Sequence, residues 1–371
     1  ELQDEIGVDK MKLLYPDIQH ISTNSADILD LRMMMKIQEQ GISLDYRCVR
    51  CRNCSDCRDA AETERISFRE EMEDSVIKTC IKIDLDKKKI IARLPLRGDA
   101  DQYLSNNRES ALKILNTQCN KVKNDPDAKE VVLKAFRKLL DNKFAVKFDE
   151  LTTEQQEKIL SQDVNHWLPW RVAYKPSSVT SPARAVFDAS SKTPVLPDGR
   201  GGRCLNDLTM KGRIDTLDLI NMMLRFSAGS KALAGDLQMF YTSIALDPEQ
   251  WHLQRVLYRD GLEMDADVVE LVIVTLIFGV RAVSALSETA VLALANMVAK
   301  VKPRVAEMVR GSRFVDDLAD SDKDLKTIKK LQKDSDEAFE SVGLKCKGWS
   351  VSGSNPHPDV TNDGINVDVG G

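Results

Sequence analysis

Phe314-Val315-Asp316-Asp317 places two adjacent carboxylates behind an aromatic and a β-branched residue. On a straight strand, neighbouring side chains point to opposite faces, so both acids reach one edge only if the chain turns there. A hairpin tip of this kind can hold divalent metal ions at a solvent-open edge. Two such ions roughly 3.5–4 Å apart stabilise the attacking and the leaving oxygen of a phosphoryl transfer. Alone the tetrapeptide says little, because Asp-Asp is common in ordinary turns. A third carboxylate, Asp236, gives it a context.

Ala234-Gly235-Asp236-Leu237 ends a short apolar strand and is followed by Phe240-Tyr241. A strand continuing straight would send Asp236 and Tyr241 to opposite sides. For both to line one pocket, the chain must turn after Asp236 into a short helical segment. The competing reading is three unrelated turn aspartates.

From Lys231 onward the pattern runs strand (231–236), buried helix (284–300), carboxylate hairpin (313–318), amphipathic helix (323–342), then strand. That order predicts an antiparallel sheet backed on one face by helices, an α+β fold. Upstream, residues 61–80 read as an exposed helix. Ile81-Lys82-Ile83-Asp84-Leu85 and 89–94 read as a hairpin. Amphipathic helices are expected over 107–123 and 128–142, separated by Asp125-Pro126. Thr152-Thr153-Glu154 opens another helix, strands follow at 171–174 and 184–188 with a loop between, and a further helix covers 214–226.

The 371 residues, 42% hydrophobic and 30% charged, suffice for two or three globular units. The chain begins at Glu1 and stops at Gly370-Gly371 without a terminating helix, which reads as a segment of a longer polypeptide. No secretory signal is evident, and the longest apolar stretch, 268–280, is short of the ~20 residues that span a bilayer. A soluble protein with no membrane partner is expected. The net charge of −5 argues mildly against nucleic acid as a partner, but 161–235 holds ten Lys/Arg against six Asp/Glu. That local excess suits phosphate handling or plain surface solvation. Four of the eight cysteines, Cys48, Cys51, Cys54 and Cys57, are clustered beside Arg47, Arg50, Arg52 and Arg58. A zinc site or an iron–sulfur ligand set is one reading, and a reactive linker is the other.

Taken in order, several motifs resemble the reverse transcriptase of BEL/Pao-type LTR retrotransposons. Tyr174-Lys175-Pro176-Ser177-Ser178 and Arg184-Ala185-Val186-Phe187-Asp188-Ala189-Ser190 are similar to the family's fingers strands. Leu205-Asn206-Asp207, Lys211-Gly212 and Leu224-Arg225-Phe226 resemble its next block. Gly235 to Ile244 resembles the first palm motif, Phe278-Gly279 the second, Phe314 to Asp317 the third and Gly343 to Trp349 the fourth. The cysteine cluster and Tyr103 to Arg108 have counterparts in the connector between protease and polymerase.

The resemblance implies a right-hand polymerase fold with fingers and palm, without a thumb, behind a helical N-terminal connector. Residues 1–60 would be the protease-to-polymerase linker with its cysteine cluster and 61–160 a mostly helical connector. Residues 161–230 would be the fingers and 231–371 the palm, cut before the primer grip. The implied activity is RNA-directed DNA polymerase, a nucleotidyltransferase using two Mg²⁺ ions, or Mn²⁺ in their place. Asp236, Asp316 and Asp317 would be metal ligands, joined by the Leu237 carbonyl. Arg184, assisted by Lys175, would grip the triphosphate of the dNTP, where guanidinium geometry is favoured. Tyr241 would exclude a 2′-hydroxyl, Gly279 would let backbone approach the templating base, and Lys347 would protonate pyrophosphate. Implied partners are an RNA or DNA template with its primer, dNTPs, and the rest of the Pol polyprotein (protease upstream; thumb, ribonuclease H and integrase downstream). The implied location is a cytoplasmic virus-like particle, with later nuclear entry.

The second palm motif departs from the family, running Phe278-Gly279-Val280-Arg281 where many relatives have Ser-Pro, and Gln238-Met239 replace charged residues. A decayed or repurposed remnant that only binds nucleic acid is therefore the rival reading. A zinc-binding interaction module centred on residues 48–57 is the third.

Overall fold

In the computed structural model, three of the helices start at capping side chains that the sequence supplies, Asp125, Thr152 and Asp324. The structure describes residues 68–98, 100–174, 183–212 and 219–352, which belong to a unit spanning Ile66–Gly371. Helix α1 (Phe68–Thr79) leads into the hairpin β1 (Ile81–Asp84) and β2 (Lys89–Ala92). A one-turn helix α2 (Ala100–Tyr103) precedes α3 (Arg108–Lys123) and α4 (Pro126–Asp141). The Asp125 side chain accepts the Ala128 N–H at 3.0 Å with Pro126 in the first helical turn, a start that needs no donor from proline. Strand β3 (Ala145–Lys147) is followed by α5 (Thr153–Leu160), whose Thr152 and Gln155 form a reciprocal capping box.

Strands β4 (Trp170–Tyr174) and β5 (Ala183–Phe187) pair antiparallel. After α6 (Leu205–Leu208) and α7 (Leu219–Ser227) comes the central strand β6 (Lys231–Leu237). Strands β7 (Ala245–Leu246), β8 (Arg255–Arg259) and β9 (Val268–Ile273) precede helices α8 (Val283–Val298) and α9 (Pro303–Gly311). The two-stranded tip β10 (Arg313–Phe314) and β11 (Asp317–Asp322), α10 (Leu325–Glu340) and β12 (Cys346–Val351) complete the described chain.

The strands form four small sheets, ordered β10-β11-β6-β12, β1-β2-β7, β3-β9-β8 and β4-β5. The first is antiparallel throughout and has helices α9 and α10 packed against it, as the order of elements from Lys231 predicts. Strands β7 to β9 and helix α9 were not foreseen. Arg255, Val256, Leu257 and Tyr258 are all buried, so β8 lacks the in–out alternation by which a half-exposed strand is recognised. The fold class is α+β.

Two buried amides stitch distant segments together by imitating a β-ladder. Gln250 accepts the Leu94 N–H (2.6 Å) and donates to the Leu94 carbonyl (3.1 Å). Asn107 accepts the Trp167 N–H (2.7 Å) and donates to the Trp167 carbonyl (2.8 Å). With β2 also pairing β7, the segment before residue 160 shares one hydrophobic core with the strands after it. Arg255 is buried between the Phe148 and Trp167 rings, 4.6 and 4.5 Å from their centroids, and is paired with Glu270. No helix among the described residues is long and apolar enough to cross a membrane. The cysteine cluster lies outside the described residues, whereas Cys119 and Cys204 are buried and Cys80 and Cys346 half-buried.

Replacing Asn107 by Leu removes both bonds and orphans a buried N–H and a buried carbonyl. The expected loss is about 2–4 kcal/mol, read as a lower urea midpoint with an unchanged denaturant slope. A loss below about 0.5 kcal/mol would show that water replaces the amide.

Candidate active site

The register of β6 decides which side chains meet. Asp317 is the direct partner of Asp236 on one side and Lys347 on the other. Directly opposed residues share a face of an antiparallel sheet, so the two carboxylates and the ammonium stand in a row across three strands. Leu233 and Leu237 point to the other, buried face. There Trp349 lies against Gly235, where an added Cβ would come within 2.5 Å of the ring, and its indole N–H donates to Asp336 of α10.

Asp316 reaches the same place from the hairpin loop. Val315 and Asp316 are the two loop residues between the paired Phe314 and Asp317, and Val315 has φ +56°. Two-residue hairpin loops whose twist suits the flanking strands need positive φ at their first position, an unfavourable setting for a β-branched residue. The turn is held from two directions. The Asp316 carbonyl accepts the Leu237 N–H at 2.8 Å, and the buried Arg313 donates to the Val315 carbonyl at 2.6 Å while pairing with Glu288 of α8. Arg313 and Glu288 were missed in the sequence, because an Arg before Phe-Val-Asp-Asp reads as a surface cation.

The chain turns after β6 as the pocket argument requires. Met239 has φ +52°, and Tyr241–Ser243 forms a short 3-10 helix. Thr242 and Ser243 return side-chain hydrogen bonds to the Met239 carbonyl, both at 3.1 Å. Tyr241 is half-buried, with its hydroxyl 3.3 Å from Ser284 Oγ and its ring edge-on to Phe278 at 4.7 Å. Beside it, Gly279 adopts φ +105° with its Cα against the Phe187 carbonyl, which an added Cβ would approach to 2.0 Å. Asn206 fixes this junction. It donates to the Gly279 carbonyl and to Ser190 Oγ, both at 2.9 Å, and accepts the Arg281 N–H at 2.8 Å. Only the sequence context of Asn206 marked it; its bridging role needs the fold.

The expected residues thus fall into two groups joined by the turn 238–240. Asp236, Asp316, Asp317, Lys347 and the Leu237 backbone form one group; Tyr241 and Gly279, with Phe278 and Asn206, form the other. Arg184 sits opposite Ala173 in the β4–β5 hairpin, and its side chain is outside the described residues, as is all of Lys175.

The carboxylates perturb one another. Asp236 is pushed up to about 6 by burial and then by the charges of Asp316 and Asp317. Lys347 works against that shift, and a hydrogen bond with Asp316 adds to it. Burial, followed by Asp316, also raises Asp317. A raised carboxyl binds its proton more tightly folded than unfolded. Stability is therefore lost as pH climbs from the ordinary value of 3.8 towards about 6, and is level above that. Among the described residues no three Asp, Glu, His or Cys side chains already form a metal cage. The oxygen donors that do meet here nevertheless suit a hard divalent cation, and a cation would offset the mutual repulsion that, after burial, raises Asp236.

No family model matches the chain, and no curated protein does. Among solved structures it is similar to a foamy viral protease-reverse transcriptase in complex with double-stranded DNA. That match has 15% identity and a TM-score of 0.37, covering 56% of this chain and 28% of that one. It is also similar to a mutant protease-reverse transcriptase of prototype foamy virus. There the identity is 15% and the TM-score 0.39, covering 60% of this chain and 24% of that one. The chain spans about a quarter of the length of those proteins.

Two outcomes follow from the coupling and from the buried pair. Replacing Asp316 by Asn brings the Asp236 carboxyl midpoint, followed by NMR, down from about 6, as does added Mg²⁺ with the unaltered chain. A midpoint unmoved by either would dismiss the shared site. Glu288→Ala strands the Arg313 guanidinium and costs about 3–5 kcal/mol in urea unfolding; a cost below about 1 kcal/mol would mean that solvent reaches Arg313.

Proposed function

We propose that this chain is the fingers–palm portion of a BEL/Pao-type RNA-directed DNA polymerase, extending a primer 3′-hydroxyl with dNTPs. The observation that carries the reading is the meeting of Asp236, Asp316 and Asp317 beside Lys347 at the ends of adjacent strands. Asp236 and the Asp316–Asp317 tip would hold divalent cations through carboxylate oxygens, with the Leu237 carbonyl alongside. Bound Mg²⁺ would supply charge for the entering hydroxyl, the triphosphate and the departing pyrophosphate. Residues 161–230 would act as the fingers and 231–371 as the palm.

The chain's own residues divide the remaining work. Lys347, exposed beside Asp236, would give its proton to the leaving pyrophosphate. Tyr241, braced by Ser284 and Phe278, presents a rigid ring edge that would reject a ribose 2′-hydroxyl. Gly279, locked by Asn206, would offer a flat backbone to the templating base. Arg184, with Lys175, would hold the triphosphate from the β4–β5 hairpin. A template–primer duplex would be recognised through its backbone and A-like shape, because a polymerase must copy any sequence.

Primer extension on an RNA template tests the reading. With Mg²⁺ the 371-residue chain is expected to add one or a few nucleotides without processivity, and Asp316→Asn to abolish the addition. Binding of template–primer without any extension would favour the non-catalytic remnant, and extension that survives Asp316→Asn would remove these carboxylates from the chemistry.

A further inference from the structure

We propose that the turn of the β1–β2 hairpin and the leading edge of β12 form one lysine ledge that seats the phosphate backbone of a nucleic-acid strand running onto the Asp236 face. Gly343 creates the ledge. It has φ +80°, and an added Cβ would come within 2.5 Å of the Lys88 carbonyl. The Lys87-Lys88-Lys89 turn therefore abuts the chain just before β12, although more than two hundred residues separate them in sequence.

From that junction the β6 ladder controls the direction. Gln238 N–H donates to the Lys345 carbonyl, continuing the pairing of Leu237 with Cys346 and of Asp236 with Lys347. Lys345 and Lys347, two residues apart on extended chain, accordingly share the face that carries Asp236 and Asp317. Leu344 to Lys347 spans about 10 Å at ~3.3 Å per residue, the axial rise of about three nucleotides of one strand. Lys88, Lys89, Lys345 and Lys347 are all exposed. Among the described residues, Lys88, Lys89 and Lys345 have no carboxylate at ion-pair distance. Lys87 is already engaged by Asp84 at 3.9 Å, and Asp84 is also the direct cross-strand partner of Lys89.

Exposed lysines on two abutting segments, one of which leads onto the sheet face, suit a polyanion of regular spacing better than a single anion. Beyond the ledge, Ala234 and Ala319 continue that face as direct partners, with no bulky side chain to bar a strand. The destination of the strand rests on the polymerase reading, whereas the binding itself does not need catalysis.

The test is the salt dependence of binding of a fluorescently labelled duplex to the 371-residue chain, followed by anisotropy. Lys88→Gln/Lys89→Gln/Lys345→Gln should reduce the slope of log affinity against log salt by about 0.9 per lysine. Lys326→Gln/Lys329→Gln/Lys330→Gln removes the same charge from exposed positions of α10, which packs on the opposite face, and should leave the slope as it was. Equal effects of the two triples, an unchanged slope in the first, or no duplex binding at low salt would overturn the ledge. So would displacement of the duplex by polyglutamate at equal charge, which would assign these lysines to an acidic polypeptide. Asp316→Asn separates this inference from the polymerase reading. Extension that survives it, with the lysine effect present, removes the reading and leaves the ledge.

Discussion

The structure around the candidate site depends on one strand and its register. β6 is paired on both edges, and its neighbours β11 and β12 come from segments about 80 and 110 residues downstream. Side chains alternate along a strand, so slipping either neighbour by one residue would turn its polar set towards the helices. That slip is resisted from the buried side, by Leu233, Leu237, Leu318 and the Trp349 ring over Gly235. Hydrophobic burial on one face thus fixes which charges oppose each other on the other.

Those charges are arranged against their own preference. Asp236 stands between a second carboxylate and a lysine, with a third carboxylate supplied by a turn whose Val315 occupies the left-handed region. Such a conformation persists only where the surroundings impose it. Here they include the Arg313–Glu288 pair, the Leu237 N–H on the Asp316 carbonyl, and the antiparallel pairing at Phe314 and Asp317. A site held in place before any ligand arrives is what positioning of a reacting group requires.

The second group of residues is built differently. Tyr241, Phe278 and Gly279 lie on irregular chain, and their placement depends on Asn206 joining 189–190 to 279–281. One side chain thereby ties the turn after β5 to the loop before α8. The buried amides of Gln250 and Asn107 do the same for the N-terminal elements. At each of these junctions an amide side chain supplies hydrogen bonds that no strand on that side provides.

The sequence by itself determined the local elements and the identity of the acids. The alternation in 81–94, the caps at Asp125 and Thr152, and the period of α3, α4 and α10 are all written in short windows, where backbone propensity and burial agree. Phe314 to Asp317 announced a hairpin tip, and Asp236 the end of a strand, for the same reason. Strand β8 was hidden because a buried run carries no alternating pattern, β7 because two residues are too few to show one, and β9 because its half-exposed and buried residues come in blocks rather than alternating. The Arg313–Glu288 pair, the Asn206 bridge and the contact of Lys88 with Gly343 were decided by tertiary structure alone. They join residues from 16 to more than 200 positions apart, and whether a polar side chain is a solvated surface group or a buried partner depends on what the rest of the chain packs against it.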